Sequence, residues 1–508
     1  MPLARIGNDA GACMRAGTYP LTAPAVGTGL QLSAILLLLG SAVVLVVAVW
    51  QIGDNPQGRG NWPLAVTIAC LAWLAVYVAC AYVHFHTLYL FSAFYIAALI
   101  LFHLSAPAAD AFGWYPGIAT APDIAPRWLE LSGWYSVVAL ASFGLGQGVA
   151  FRARVPAKKR VSVASLPFRG LLFRDAVGLL VVSCALLAWV FLTVGNLLSF
   201  SRAELFRGVG DTRGLGVFLM LFPSAVVLFF FSASSGIGKA LGIFLAVCGF
   251  ALIMLSGYRT SALYPLVVGA ILWRKTGRRI PMAVAAAALV VLVAAISFVG
   301  VLRQSGPYSA MSQSTMNEAL QHVSTRDTLH LGQTGALLAH VLRLVPHEDG
   351  YRYGMTYLEG LRQAIPNVSS QISESPRQAV KRGVFTRATF ERLVPSDWLT
   401  YRIAPWAFDI GQGVGFTAIG EAYLNFGTLG VPAIFGLLGF LLGRLDHVDL
   451  SRHAGWFIFC GAFAWHLIRT VRDDFTNFTK PAAFTLLALI AWRVATYLVG
   501  WRVARPKP

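Results

Sequence analysis

The stretch Asp409-Ile-Gly-Gln-Gly-Val-Gly-Phe-Thr-Ala-Ile-Gly-Glu-Ala-Tyr-Leu-Asn-Phe-Gly-Thr-Leu-Gly-Val-Pro432 is the most informative part of the chain. It places a carboxylate, Glu421, at the start of an apolar segment that continues to Gly443. An ionisable side chain at the edge of hydrocarbon is costly unless it faces protein or water and has a partner. The plainer alternative is an interfacial helix start, whose glycines allow neighbouring helices to pack closely. The stretch therefore predicts a membrane helix that begins at a candidate site.

The composition of the whole chain is that of a membrane protein. Of its 508 residues, 57% are hydrophobic and only 12% are charged. Apolar runs of about 18–24 residues match the thickness of a bilayer core. Residues 1–29 lack the features of a signal peptide, so we expect the first run to be a retained span. We predict an all-α polytopic integral membrane protein of about 12 spans, near 29–51, 62–83, 87–105, 133–151, 175–198, 214–234, 238–256, 259–273, 281–301, 413–443, 455–471 and 481–500.

Basic segments predict the orientation of these spans. The net charge is +18, and its densest segments are 152–174, 274–279 and 502–508. Lys and Arg mark the cytoplasmic side, so an even number of spans puts both termini in the cytoplasm. Most of the charge then serves orientation and contact with anionic lipid, not nucleic-acid binding. The six cysteines show no metal or disulfide spacing.

One long segment separates the ninth and tenth predicted spans, and it lies on the outer side, opposite the basic segments. It has about 110 residues, far more than an ordinary loop, so we expect it to carry its own structure. Apolar spacing predicts helices within 314–345 and 353–364, the second ending before Pro366. The predicted organisation is an N-terminal bundle of nine spans (1–301), a large helical outer loop (302–412), and three C-terminal spans with a cytoplasmic tail (413–508).

Two predicted spans have unusual lengths. The eighth covers only about 22 Å, short of the roughly 30 Å hydrocarbon core, which would draw Arg259 below the outer surface. The tenth has about 31 residues and is interrupted by Gly427, Gly430 and Pro432. A broken helix with backbone facing a cavity is one solution for such a span.

An excess of arginine on the outer side requires a reason other than topology. Guanidinium is a fork of donors suited to phosphate, so converging arginines would suit the diphosphate headgroup of a lipid. The alternative is snorkelling, or pairing with Glu421, Asp473 and Asp474. The enforced depth of Arg259 favours a functional role for that residue. The arginines in question are Arg202, Arg207, Arg213, Arg259, Arg303, Arg402, Arg469 and Arg472.

Other groups carry less information. A histidine could take a proton from a hydroxyl, but we expect surface or helix-face positions for those of the outer loop: His322, His330, His340 and His347. No Walker motif, dinucleotide loop, HExxH or paired-carboxylate nucleotide-sugar motif is present in the sequence. A soluble nucleotide donor is therefore unsupported.

Three stretches carry a resemblance to a known family. They are Gly413 to Pro432, Gly257-Tyr-Arg-Thr-Ser261 and Phe298-Val-Gly-Val-Leu-Arg-Gln304. Together with the many spans and one large outer loop in the C-terminal half, they resemble the Wzy family, the O-antigen polysaccharide polymerases of bacterial inner membranes. The arginine motifs are short and recur in the related O-antigen ligases.

The resemblance implies a GT-C-like membrane glycosyltransferase that acts at the periplasmic face without metal or cofactor. It would transfer a growing glycan from undecaprenyl diphosphate to a sugar hydroxyl of another lipid-linked repeat unit, among membrane lipids and with a Wzz-like chain-length regulator as a further partner. Glu421 would be the base or would orient the acceptor, and Arg259 and Arg303 would also act in catalysis. The substrate-binding residues would be Arg469, Arg472, Tyr423, Asn425, Tyr258 and Arg402. On a helix, Tyr423 points away from the face shared by the i, i+4 pair Glu421 and Asn425.

Three alternatives stay open at this point. An O-antigen ligase would perform the same chemistry with lipid A core as acceptor. A transporter of lipid-linked sugar fits twelve spans, but transporters tend to have two similar halves and no repeat is evident here. A non-enzymatic partner of a polysaccharide assembly complex would leave the deep Arg259 unexplained.

Overall fold

The computed structural model describes residues 26–54, 61–152, 168–194, 213–255, 259–276, 280–281, 283–284, 332, 334–365, 376–384, 386–410, 413–450 and 453–503. Within these ranges the elements are all helical. In chain order they are α1 (Val26–Gly53), α2 (Trp62–Phe85), α3 (Phe91–His103), α4 (Ser105–Ala111), α5 (Pro126–Phe151), α6 (Arg169–Val194), α7 (Arg213–Ser232), α8 (Gly236–Leu255), α9 (Arg259–Lys275), α10 (Thr334–Leu344), α11 (Met355–Ala364), α12 (Pro376–Lys381), α13 (Arg387–Arg392), α14 (Pro395–Ile403), α15 (Pro405–Asp409), α16 (Ala418–His447), α17 (Ala454–Ala462), α18 (Ala464–Arg469) and α19 (Thr476–Val503).

Nine segments of the described chain are long and apolar enough to cross a membrane, and α3 and α4, bent by 59°, make a tenth if they form one span. The all-helical, multi-span prediction is confirmed, whereas the count of about 12 is not. Of the predicted spans, 87–105 corresponds to the bent pair, and 259–273 to α9, whose 17 residues are fewer than those of the nine. The prediction for 281–301 falls almost entirely outside the described residues.

One end of the bundle, which we call the histidine end, is held by polar contacts between helix termini. The His84 ring stacks on Phe151 at 4.4 Å, and its Nε2 lies 2.9 Å from Nε2 of His447. Lys275 Nζ donates to the carbonyl of Asp446 at 2.9 Å. The C-terminal ends of α2, α5, α9 and α16 therefore meet here. The opposite end, which we call the loop end, carries α10 to α15.

Both ends of the described chain lie toward the histidine end. The first half of α1 contacts the last turn of α5, since a Cβ on Gly148 would meet Leu38. The start of α6 lies beside the end of α7, which packs against the end of α9. Arg493 near the end of α19 pairs with Asp175 in α6. The start of α1 and the end of α19 therefore lie at the same end of the bundle.

The centre of the bundle is a close contact between α5 and α16. A Cβ on Gly146 would lie 1.8 Å from the carbonyl oxygen of Gly436, and one on Gly439 would lie 2.0 Å from that of Phe143. Only glycine permits such an approach of two backbones, which is a common way for membrane helices to pack. Because α16 is fixed against α5 in this way, its first turns have a defined position at the loop end.

The interruption predicted in the tenth span is present in α16. Gly427 has φ 62° and ψ −150°, which breaks the helical path two residues after Asn425. A Cβ there would also lie 3.1 Å from the ring of Tyr351 in the outer loop. The predicted helix at 353–364 is α11, and that within 314–345 is described only over its last part, as α10.

Candidate functional site

The outer loop covers the break in α16. The backbone amide of Arg352 donates to the carbonyl of Leu424 at 2.9 Å, and that of Tyr353 donates to the carbonyl of Asn425 at 3.0 Å. Carbonyls beside a helix break lose their usual donors four residues on and must find others. The loop amides satisfy them, so the break and the loop conformation depend on each other.

Side chains of the signature stretch complete this attachment. Thr356 Oγ1 donates to Glu421 Oε1 at 2.6 Å and accepts from Asn425 Nδ2 at 2.6 Å. Asn425 Oδ1 accepts from the amide of Gly354 at 2.9 Å, and the amide of Phe475 donates to Glu421 Oε2 at 2.7 Å. We call these five residues the loop clamp. It joins α16, the start of α11 and the start of α19.

The predicted residues of this stretch therefore divide into two groups. Glu421 and Asn425 are 2% and 0% exposed, and both carboxylate oxygens of Glu421 accept hydrogen bonds. Tyr423 points away from them, and its ring lies 5.3 Å from that of Tyr135 and 6.1 Å from that of Tyr351. The break follows all three residues, so it does not turn Tyr423 toward the pair.

A buried arginine beside the loop clamp was missed by the sequence interpretation. The Arg352 guanidinium lies 4.2 Å from the ring of Phe390 and 5.3 Å from that of Trp398, and donates to the carbonyl of Leu393 at 2.6 Å. Burial lowers the pKa of Arg352 to about 10, against the opposing effect of nearby carboxylates that include Glu421. It therefore holds a positive charge close to that carboxylate. No local pattern distinguishes it from the other arginines of the loop.

A second buried carboxylate, Asp474, lies beside Glu421. Its Oδ2 accepts from the amide of Ser396, in the first turn of α14, at 3.1 Å, and its Oδ1 accepts from Asn477 Nδ2 at 3.2 Å. Burial raises the pKa of Asp474 above its ordinary value. The residue thus connects the start of α19 to the outer loop through α14.

The outer arginines that the structure describes differ in their pairing. Arg469 Nε donates to Asp473 at 2.7 Å, as the pairing alternative expects. Arg402 Nε lies 2.9 Å from Asp349 Oδ2, a partner that this alternative did not include. Arg472 is different: its guanidinium lies 5.5 Å from the ring of Phe102, and no carboxylate among the described residues forms an ion pair with it.

Arg472 lines a polar cavity at the loop end. The cavity has a volume of about 410 Å³ and lies between the α3–α4 bend, the loop before α5, the start of α5 and α10. Its walls include Arg472, His103, Asp123, Ser132, Thr334 and His340. A cation together with histidine, hydroxyl and carboxylate groups can bind an anionic or hydroxylated ligand.

His340 is the second residue that the sequence interpretation missed. It lies on a helix, α10, which is one of the two positions that we predict for it, but the residue is only 6% exposed and Nε2 lies 3.3 Å from Asp123 Oδ2. Burial lowers the pKa of His340, which favours the neutral ring. With the Nε2 proton directed at Asp123, the basic lone pair is on Nδ1, which is buried and has no hydrogen-bond partner in the described part of the chain. Asp123 is some 200 residues away in sequence, so no spacing could have predicted the pair.

The remaining predicted residues belong to the segments that begin and follow α9. Tyr258 and Arg303 lie outside the described residues, and Arg259 is described only as the first residue of α9. Tyr264, less than two turns further along α9, lies within electrostatic reach of Arg469 and Arg472. The start of α9 therefore lies on the same side of the bundle as these arginines.

These features define a multi-pass membrane protein whose loop end holds a polar, arginine-lined cavity beneath a helical loop. The family model for O-antigen polysaccharide polymerase Wzy matches residues 32–499, nearly the whole chain. The chain therefore belongs to the Wzy family, and its function in outline is that of an O-antigen polymerase acting on lipid-linked repeat units in membranes. Neither a curated protein nor a solved structure matches the chain.

Proposed function

We propose that the protein polymerises undecaprenyl-diphosphate-linked repeat units at the periplasmic face of the bacterial inner membrane. The loop end then faces the periplasm and both termini are cytoplasmic, in a GT-C-like bundle of about 12 spans. The basic segments near the histidine end support this orientation. A Wzz-like chain-length regulator is the protein partner that we expect.

The observation that carries the proposal is the position of Arg472. In this reaction the leaving group is a lipid diphosphate, and a preorganised cation stabilises the charge that develops on it. Arg472 lines the cavity without a described carboxylate partner. We propose Arg259 and Arg303 as further diphosphate ligands, with Tyr258 beside them. Arg469 would reach the substrate only by leaving Asp473.

Arg402, also among the proposed substrate contacts, is paired with Asp349 and Glu348, so it would likewise have to exchange its partners. We propose that Tyr423 contacts sugar through its ring, since it lies in an aromatic cluster with Tyr135 and Tyr351. Asn425, which is fully buried in the loop clamp, would position the loop above the substrate.

The acceptor hydroxyl requires a base. Both oxygens of Glu421 accept hydrogen bonds from the protein, so of its two suggested roles we favour orientation, exerted through the loop clamp. His340, neutral and oriented by Asp123, is the base that we propose. Because Nδ1 is buried, the residues that cover it must move aside before the acceptor binds. The hydroxyl oxygen would then bond to the anomeric carbon, its proton would pass to Nδ1, and the bond between that carbon and the diphosphate would break. The diphosphate would depart on its lipid carrier.

The direct test uses purified protein in nanodiscs with a lipid-linked repeat unit and no nucleotide sugar. We expect a ladder of products at multiples of the repeat unit. Transfer that occurs only when lipid A core is added would instead identify a ligase. If neither product forms, the proposed reaction is wrong and transport becomes the better hypothesis.

Single variants then test the site. Arg472→Ala should abolish the ladder, and Arg472→Lys should retain part of it because lysine keeps the charge but loses the fork. The matched control is Arg387→Ala, which removes a highly exposed arginine of the outer loop. Glu421→Gln should keep measurable activity if the carboxylate orients, whereas complete loss with intact folding would identify it as the base.

A further inference from the structure

One helix of the outer loop exposes a continuous apolar face. Met355, Leu358, Leu361 and Ile365 are spaced at three or four residues along α11 and its end, and Leu358 is 59% exposed. That spacing puts them in one stripe. Isolated exposed apolar residues are ordinary, but a contiguous stripe marks a surface that contacts something other than water.

The opposite face of α11 is fixed to the membrane helices. Thr356 belongs to the loop clamp, and Thr479 Oγ1 in α19 donates to the carbonyl of Gly360 at 2.7 Å. The ring of Tyr357 lies 5.4 Å from that of Phe475 and 6.3 Å from that of Phe426. The helix is thus held against the first turns of α16 and α19, at the level where these spans begin.

The exposed stripe lies on a helix that packs beside an exposed apolar surface of α16. Phe426 of α16, whose ring lies beside Tyr357 of α11, is exposed, Leu429 three residues further on is exposed to 79%, and further exposed leucines follow along the same span. In a multi-pass membrane protein such side chains contact lipid. A helix that adjoins them with apolar side chains outward fits the edge of the same lipid surface.

The polar residues of α11 agree with this position. Arg362 is half exposed next to Leu361 and forms a paired hydrogen bond with Glu359 at 2.7 and 2.8 Å. An arginine beside an apolar stripe can keep its stem in hydrocarbon and its charge among phosphate headgroups.

We propose that α11 is an interfacial helix whose apolar face lies in the outer-leaflet lipid beside α16 and α19. The occupant of this face is the boundary between headgroups and acyl chains, not a second protein. This proposal rests on the membrane character of the chain and is independent of the polymerase reaction.

The test places a fluorescent label at single cysteines, in protein whose native cysteines are replaced by alanine, reconstituted in phospholipid vesicles. The sites are Leu358→Cys and, as a second site on the same face, Leu361→Cys. Leu437→Cys, in the exposed surface of α16, provides the lipid reference, and Arg387→Cys in α13 provides the aqueous reference. Quenching is measured with brominated phospholipid and with aqueous iodide.

We expect brominated lipid to reduce the fluorescence at 358 and 361 nearly as much as at 437, and iodide to reduce it much less than at 387. Quenching by iodide equal to that at 387 would overturn the proposal, because the face would lie in water. Protection from both quenchers would also overturn it, because a second copy or another protein would then cover the face. A ladder assay on the same vesicles reports separately on the proposed reaction.

Discussion

At the scale of single residues, Gly427 determines how the outer loop meets the membrane helices. Its backbone conformation is one that side-chain-bearing residues rarely adopt, and a Cβ would press on the ring of Tyr351. The break also frees the carbonyls that Arg352 and Tyr353 contact. One residue without a side chain therefore permits both the turn in α16 and the approach of the loop.

Gly427→Ala should destabilise this arrangement by about 1–3 kcal/mol, the usual cost of such a strained backbone. The measurement is the thermal unfolding temperature in detergent, together with the rate of protease cleavage in the outer loop. Gly436→Ala is the matched control on α16, because a Cβ there meets only the carbonyl oxygen of Ser142, at 3.7 Å. Equal behaviour of the two variants would contradict the role of Gly427.

His340 gives the second residue-scale prediction, on pH dependence. A base must be deprotonated, so polymerisation should fall as pH drops through the pKa of His340. Burial moves that pKa below the ordinary 6.5, against the opposing effect of Asp123, while Arg343 acts in the same direction as burial. The loss should therefore occur on the acid side of pH 6.5.

The variant His340→Asn should lose roughly 10²- to 10⁴-fold in rate, the range for general-base catalysis. Its remaining rate should no longer show the fall at acid pH, which we call the acid limb of the pH profile. Asp123→Asn should reduce the rate less and shift that limb. If His340→Asn keeps the wild-type rate and pH profile in the ladder assay, the histidine is not the base.

At the scale of elements, two buried carboxylates attach the outer loop to the membrane helices. The loop clamp ties α11 to α16 and α19, and Asp474 ties α14 to the start of α19. Each attachment uses a buried carboxylate that accepts a backbone amide at the start of α19 or of a loop helix. Ionisation of these groups is therefore linked to the stability of the loop.

Asp474→Asn tests that linkage. Because the pKa of Asp474 is raised in the folded protein, the unfolded chain releases a proton that the folded chain retains once pH exceeds about 4. The contribution of this group to stability is thus complete at acid pH and decreases as pH rises toward the raised value. The unfolding temperature of the wild type should fall relative to the variant over that window. Parallel curves at all pH values would exclude the linkage.

At the scale of the whole molecule, the length of the apolar runs and the positions of glycine and proline were sufficient to predict the class of fold and the break in α16. Apolar runs predict spans because the bilayer imposes their length, and the glycines with Pro432 marked the interruption. The site was only partly predictable. Arg472 could be identified as a candidate from its position at the end of a span. That no carboxylate of the described residues pairs with it depends on Asp473, which pairs with Arg469 instead.

Contacts between residues far apart in the chain could not be predicted from the sequence. His340 meets Asp123, and Glu421 meets Thr356, through contacts that join segments far apart in the chain. Local spacing carries no information on such contacts, because the packing of α5, α10 and α16 brings them together. The prediction that Tyr423 points away from Glu421 and Asn425 was correct, because it depends only on the number of residues in a helical turn.

The shortness of α9 has a consequence for the lipid composition in which the enzyme works best. Its 17 residues cover about 25 Å, less than the roughly 30 Å of hydrocarbon in a typical membrane, so we expect the lipid that contacts α9 to be compressed locally. Thicker membranes would increase that compression. We expect polymerisation in nanodiscs to slow as the acyl chains are lengthened, and to slow less in a variant with one additional helical turn after Trp273. The protein would thereby couple surface-polysaccharide synthesis to the thickness of its membrane.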